Sequence, residues 1–180
     1  MEYDEIELLY GTQSSILLQN THKYCTRSNI ESTFDVYTNI VQVSGVFDII
    51  HGGHIAYLQE AKEFGETLVV TINTDASAER YKGHAPYLNL FHRAFILTSI
   101  DVVDFVTTFD EDDPSKIISI ISPNVYVKGY DTIIDSSTPE LKELFKTSAL
   151  RLTSEEKHVD FHTTHVLEKL HGQEKPFTPN

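Results

Sequence analysis

From Val41 to Leu152, short β-branched runs alternate with stretches of helical spacing, and that alternation leaves few folds open. Ile40-Val41-Gln42-Val43, ending in Ser44-Gly45, has the composition of a buried strand. His54 to Phe64 carries Ile55, Leu58, Ala61 and Lys62 at helical spacing and closes on Gly65. Thr67 to Asn73 is the strongest strand pattern in the chain. Leu90 to Ser99 predicts a helix and Val102 to Thr107 a strand. Pro114 suits the first turn of a helix through Ile121, with Asp112 and Asp113 favourable near its positive end. Asn124 to Val127 is a further strand, and Ser137-Thr138-Pro139-Glu140 has the form of a capping box opening a helix to about Phe145. A short strand near Leu150-Arg151-Leu152 and a helix from about Thr163 to Leu170 complete the pattern. Strands joined by crossover helices make an α/β fold with a mainly parallel sheet covered on both faces. Such sheets bind ligands past the carboxyl ends of their strands.

Residues 1–40 are polar-rich and lack this rhythm, so they read as an N-terminal extension with one or two short helices, ahead of a domain over 41–180. The whole is 180 residues, 40% hydrophobic and 23% charged, enough for one compact domain and unlike the composition of a disordered chain. No apolar run approaches the ~18 residues of a membrane span, and Met1-Glu2-Tyr3-Asp4-Glu5 is acidic where a secretory signal is basic. Cys25 is the single cysteine, which excludes an internal disulfide and a multi-cysteine metal site and fits a reducing cytoplasm. The formal net charge of −13 repels phosphate backbones, arguing against a nucleic-acid partner. A small anionic ligand in a locally positive pocket stays compatible with that charge.

The segment Gly45-Val46-Phe47-Asp48-Ile49-Ile50-His51-Gly52-Gly53-His54 lies where the first strand gives way to the first helix. Backbone N–H groups and the helix dipole favour an anion there. Gly52 and Gly53 permit close backbone approach, and imidazole N–H groups beside them can stabilise charge on a phosphoryl oxygen. Taken without that position, two histidines three apart read first as unrelated side chains. A zinc or iron site competes as well, although glycines replace the usual helical spacing of ligands.

The pattern Gly-x-Phe-Asp-x-x-His-x-Gly-His resembles the signature of the cytidylyltransferase-like nucleotidyltransferases, with every fixed position present. From Val43 to Asp131 the chain is further similar to the adenylyltransferase domain of bacterial ADP-heptose synthases. Asn73-Thr74-Asp75-Ala76-Ser77 with Arg80-Tyr81-Lys82-Gly83 resembles that family's second motif. His92-Arg93 falls at its helix arginine, and Val127-Lys128-Gly129-Tyr130-Asp131 at its Val-Lys-Gly-x-Asp. Glycerol-3-phosphate and ethanolamine-phosphate cytidylyltransferases share the first motif.

The resemblance implies a Rossmann-like, doubly wound sheet and nucleotidyl transfer. The phosphate of a small substrate attacks the α-phosphorus of ATP or CTP in line, pyrophosphate leaves, and positioning with charge stabilisation is the whole task. It implies that His51, His54, Lys82 and Arg93 act on the reacting phosphates. Gly45, Val46, Phe47, Asp48, Gly53, Asn73, Asp75, Arg80, Lys128, Gly129, Asp131, Thr163 and Thr164 would line the nucleotide and acceptor sites. For Asp48 and Asp75, turn-forming or helix-capping roles stand beside ligand contact. Mg²⁺ would arrive with the triphosphate rather than in a metal site of the protein's own. Independently of family, Arg80, Lys82, Arg93 and Lys128 all fall near strand or helix ends at one side of the predicted sheet, a positive pocket in a negative shell.

The preferred acceptor is a heptose-1-phosphate-like sugar receiving an adenylyl group. The alternatives are cytidylyl transfer to glycerol 3-phosphate or another alcohol phosphate, and a nucleotide-binding regulator without turnover. ADP-heptose synthases often carry a sugar kinase, so a separate kinase is expected upstream, and family members suggest a homodimer. The family's closing Gly-x-Ser-Thr-Thr-like segment is changed to Asp160-Phe161-His162-Thr163-Thr164-His165, with Lys157 or Arg151 as the nearest basic residue. His158, His162 and His165 read as a solvated helix start before they read as a metal cluster.

Overall fold

A computed structural model describes residues 22–27, 29–130, 132, 135, 137–139, 142, 144 and 149–154. Residues 1–21 of the expected extension and the expected helix from Thr163 to Leu170 lie outside the described residues, as do Asp131, Lys157, His158 and the Asp160–His165 segment. The elements are α1 (Ile30–Phe34), β1 (Ile40–Gly45), α2 (Gly52–Lys62), β2 (Thr67–Asn73), α3 (Asp75–Lys82), α4 (Leu90–Thr98), β3 (Phe105–Phe109), α5 (Ser115–Ile121), β4 (Val125–Lys128) and β5 (Ala149–Leu152).

The five strands form one sheet in the order β3-β2-β1-β4-β5, and every pairing is parallel. This is the expected Rossmann-like α/β architecture. The chain winds outward through β1, β2 and β3, then returns to the other side of β1 to place β4 and β5. The order therefore reverses between β1 and β4, which opens a crevice above their carboxyl ends.

Alternation along the strands sorts the core into two faces. Val41, Val43, Leu68, Val70, Ile72, Val106 and Val127 pack with Leu58 and Ala61 of α2 and with Leu90, Ala94 and Leu97 of α4. On the other face, Ile40, Val69 and Phe109 pack with Ile30 and Phe34 of α1 and with Ile117 and Ile121 of α5. Strand β2 is buried along its whole length, as a central parallel strand must be, which is why its apolar run is continuous rather than alternating.

Three elements differ in detail from the sequence expectation. Strand β3 begins at Phe105, because Val102 and Val103 occupy the turn before it. Asp104 fixes that start: its N–H donates to the Leu68 carbonyl at 3.0 Å, while its carboxylate accepts from the Leu68 N–H at 2.6 Å and pairs with Lys62. Helix α2 starts at Gly52, with His51 as its N-cap. Helix α3 was not expected; Thr74 caps it by accepting from the Ser77 N–H at 3.1 Å, and Gly83 ends it in the left-handed conformation.

The segment before β1 contributes to the same core. Tyr24 bridges to Val106 in parallel, the Cys25 N–H donates to the Val106 carbonyl at 2.8 Å, and the Val106 N–H donates to Lys23 at 2.8 Å. Tyr24, Cys25, Ile30 and Phe34 are all buried.

Candidate active site

The loop from Gly45 to Ile50 carries the chain from β1 into α2 at the switch point. Phe47 adopts a positive φ of 49° with its ring buried. For an aromatic residue this conformation costs on the order of 1–2 kcal/mol, so the surroundings must hold it. Both neighbours are tied down. The Val46 carbonyl accepts from Arg93 Nη1 at 2.8 Å, and the Asp48 carboxylate accepts from the Tyr87 N–H at 3.0 Å and the Leu88 N–H at 2.8 Å. A Cβ at Gly45 would stand 3.1 Å from the Phe47 ring, which explains the glycine there.

With the loop fixed, His51 and His54 meet at the first turn of α2. The two rings lie 3.9 Å apart between centroids at 37°, and His54 also packs on Phe47 at 5.5 Å. His51 is the N-cap of α2, and His54 Nδ1 accepts from the His51 N–H at 3.4 Å. A neutral imidazole that accepts at Nδ1 carries its proton on Nε2, so Nε2 is the N–H side of the His54 ring. Both histidines and Gly53 are half-buried, and Gly52 is exposed, so the helix N-terminus is accessible from solvent.

Arg93 takes a different position from the other basic residues. Its side chain is fully buried, donating from Nε to the Leu88 carbonyl at 3.0 Å, from Nη1 to Val46, and from Nη2 to Asp75 Oδ1 at 2.6 Å. Asp75 Oδ2 accepts in turn from the Leu90 N–H at 3.2 Å. Arg93 and Asp75 thus join the Gly45–Ile50 loop, α3 and the start of α4 in one polar knot. Asn73 is buried and donates to Ser77 Oγ at 2.9 Å.

Arg80 lies exposed on α3 and donates from Nε to Asp112 at 2.7 Å, with Asp110 as a second anionic partner. The hydrogen bond to Asp112 leads the influences that raise its pKa above the ordinary guanidinium value. Lys82 is exposed in the last turn of the same helix. Lys128 ends β4 with its ammonium 6.0 Å from the centre of the Tyr126 ring, and half-buried Gly129 follows. The histidine pair, Gly53, the Gly45–Asp48 loop and the Arg93–Asp75 pair therefore converge at the C-terminal edge of the sheet. Asp131, Thr163 and Thr164 belong to the residues outside the description.

Some supporting residues carry no motif. Tyr57 of α2 donates its hydroxyl to the Val127 carbonyl at 2.7 Å, clamping the helix to β4 across the crevice. Glu60, buried one turn further on, accepts from the Ser154 N–H at 2.7 Å. A buried carboxylate on an otherwise apolar helix face was the available signal for the second.

A family profile described as cytidylyltransferase-like matches residues 43–171, which takes in the end of β1, the histidine pair and all later strands. The chain belongs to the cytidylyltransferase-like family. This cytidylyltransferase-like chain is 49% identical over 98 residues to the bifunctional protein HldE of Marinomonas sp. (strain MWYL1), a stretch covering 54% of this chain and 21% of that protein. With the bifunctional protein HldE of Helicobacter pylori (strain ATCC 700392 / 26695) it shares 40% identity over 119 residues, covering 65% of this chain and 26% of the relative. The match thus spans about a fifth to a quarter of these curated relatives. Among solved structures, the lipopolysaccharide core biosynthesis protein of Thermoplasma volcanium GSS1 superposes with a TM-score of 0.58 at 32% identity, covering 67% of this chain and 98% of that one. Pantothenate synthetase of Thermus thermophilus, at 9% identity and a TM-score of 0.50 over 73% of this chain and 61% of that one, shares the fold.

Proposed function

We propose that this protein transfers a nucleotidyl group from a nucleoside triphosphate to the phosphate of a sugar, with adenylyl transfer to a heptose-1-phosphate-like acceptor as the reading best supported. The observation that carries it is the adjacent His51–His54 pair at the N-terminus of α2, in the crevice where the strand order reverses. Identity of 40–49% to HldE proteins and likeness to a protein named for lipopolysaccharide core biosynthesis support a saccharide acceptor.

In this reading the triphosphate lies against the N-terminal N–H groups of α2, where the helix dipole and the glycine backbone favour it. An acceptor phosphate oxygen attacks the α-phosphorus, and the bond from that phosphorus to the bridging oxygen of pyrophosphate breaks. His54 Nε2–H, with His51 beside it, donates to the non-bridging oxygens as their charge grows. No group on the protein becomes covalently modified, so rate depends on how well the loop holds the two rings. Mg²⁺ bound to the triphosphate would supply charge screening for the pyrophosphate leaving group.

Arg80, Lys82 and Lys128 supply positive charge around the phosphates, with Asn73, Gly129, Asp131, Thr163 and Thr164 completing the walls. Arg80 is held by Asp110 and Asp112, so it exchanges those partners for a phosphate on binding. Arg93 and Asp48 serve by positioning the loop, since their hydrogen bonds run to the protein itself. A kinase-type reaction must supply the phosphorylated acceptor upstream. A homodimer and a cytoplasmic setting accompany this reading.

The test is pyrophosphate release with Mg²⁺, each of ATP, CTP, GTP and UTP, and a panel of sugar phosphates. Release with ATP that falls by about 10²–10³-fold in His54→Ala is expected, the scale of losing a donor to transition-state charge. Nucleotide binding without release from any acceptor in the panel would overturn it.

A further inference from the structure

Gln42, Ser44, Thr71 and Thr107 place a polar strip across the centre of the sheet, on the face opposite α2 and α4. Register makes it continuous: Ser44 pairs with Thr71, Thr71 pairs with Thr107, and Gln42 precedes Ser44 by two residues on the same face. Ser44 Oγ and Thr71 Oγ1 are 2.5 Å apart, and Gln42 Nε2 lies 3.3 Å from Thr71 Oγ1 and 3.4 Å from Ser44 Oγ. Gln42, Thr71 and Thr107 are completely buried, whereas Ser44, at the carboxyl end of β1, is partly open.

Apolar side chains would fill such a position more cheaply, because polar groups in a parallel sheet must recover their lost hydration. Here they recover only part of it. Among the described residues, Gln42 Oε1 and Thr107 Oγ1 have no hydrogen-bond partner although both side chains are buried. Each such group weighs against stability and needs a reason. The strip's open end is one residue before Gly45, where the phosphate loop begins, and Lys128 leaves β4 on the same face because Gln42 pairs with Tyr126.

We propose that the open end of this strip is the acceptor subsite, with Ser44 as its contact residue and Gln42 and Thr71 orienting the Ser44 hydroxyl. It takes the hydroxyl groups of a neutral, polyhydroxylated phosphate, a sugar or a polyol, and it rejects phosphates of cationic amino alcohols. This deepens the proposed function and rests on it. Hydroxyls and a carboxamide both donate and accept, which matches alcohol groups. The strip contains no carboxylate, so an ammonium placed there would lose its hydration without a counter-charge. Lys128 repels that ammonium while attracting the acceptor's phosphate.

Steady-state pyrophosphate release by the full chain tests the assignment, with ATP and CTP and with a sugar 1-phosphate, glycerol 3-phosphate, phosphoethanolamine or phosphocholine as acceptor. The wild type is expected to favour the hydroxylated acceptors by about 100-fold or more in kcat/KM. The sugar and glycerol arms then separate the two hydroxylated classes. Ser44→Ala is expected to raise KM for the acceptor about tenfold and leave KM for the triphosphate within about twofold, the pattern of a lost hydrogen bond to one substrate. Thr71→Val, nearly isosteric, shifts the same constant in the same direction if its hydroxyl orients Ser44. Equal use of amino-alcohol phosphates overturns the inference and leaves nucleotidyl transfer standing. So does a Ser44→Ala enzyme whose acceptor KM is unchanged or whose two KM values rise together. Absence of release with every acceptor removes the proposed function and this inference together.

Discussion

Arg93 shows how far one residue's sequence position is from its role. Its place on a helix after the second motif was readable, and family likeness suggested a grip on phosphate. The three acceptors it meets are Leu88, Val46 and Asp75, two of them 47 and 18 residues away, and no local pattern announces them. The histidine pair was legible because its geometry is local: a strand end, glycines and a helix start within ten residues. Asp48 was half legible, its carboxylate recognisable and its partners at Tyr87 and Leu88 not. A buried guanidinium cannot be replaced by an ammonium without losing the planar fork that reaches three acceptors. Arg93→Lys is therefore expected to destabilise the protein by about 3 kcal/mol, within the range for breaking a buried ion pair. Thermal unfolding beside KM for the triphosphate checks it. A phosphate ligand would show a raised KM at an unchanged Tm, whereas a positioning residue lowers Tm first.

At the scale of elements, strands were easier to foresee than their ends. β2 announced itself because a fully buried parallel strand needs a continuous apolar run. β3 was displaced because Val102 and Val103 report burial, and burial in a turn looks the same as burial in a ladder. α3 was missed because Asp75-Ala76-Ser77-Ala78-Glu79-Arg80-Tyr81-Lys82 shows no apolar stripe; it buries only Ser77 and Ala78, and its caps at Thr74 and Gly83 were the one signal. The loop between β3 and α5 repays the same scrutiny. Asp113 does cap the start of α5, accepting from the Ser115 N–H at 2.8 Å, but Asp112 turns to Arg80, and Glu111 pairs with Arg27 and Lys116 at 2.8 Å each. Burial alone would raise the Glu111 pKa; hydrogen bonds from Lys116, Arg27 and its own backbone outweigh it and bring the value down from 4.5 to about 2. A carboxylate whose folded pKa is depressed contributes stability above its unfolded value and loses it as pH falls. The contribution is thus complete above 4.5 and fades toward 2. Glu111→Gln is expected to cost about 1 kcal/mol at neutral pH, given its partly exposed partners. Urea midpoints of variant and wild type should converge as the pH is lowered through that window, and a constant gap would refute the assignment.

Across the whole molecule, composition suggested a break near residue 40 that the packing does not respect. Sequence patterns detect periodicity within an element, and residues 22–37 have little of it; their contribution is to cover part of an edge and cap a face. Tyr24 makes one parallel bridge beside β3, which covers part of that strand's edge. Phe34 is buried, meets the Phe105 ring edge-on at 5.3 Å, and shares its cluster with Ile117 and Ile121 of α5. Because α1 and α5 cover the sheet face opposite α2, this cluster stabilises the platform on which the histidine loop stands without touching the loop. Truncating a buried phenylalanine costs about 3–5 kcal/mol through lost transfer energy and the cavity left behind. Against a typical total of roughly 5–15 kcal/mol, that is a large share. Phe34→Ala is therefore expected to lower Tm by many degrees in a single cooperative transition, while KM for the triphosphate, measured well below that transition, stays at the wild-type value. A separate arm laid on the surface would give a different result: Tm would hold, and only a low-temperature transition of residues 22–37 would be lost.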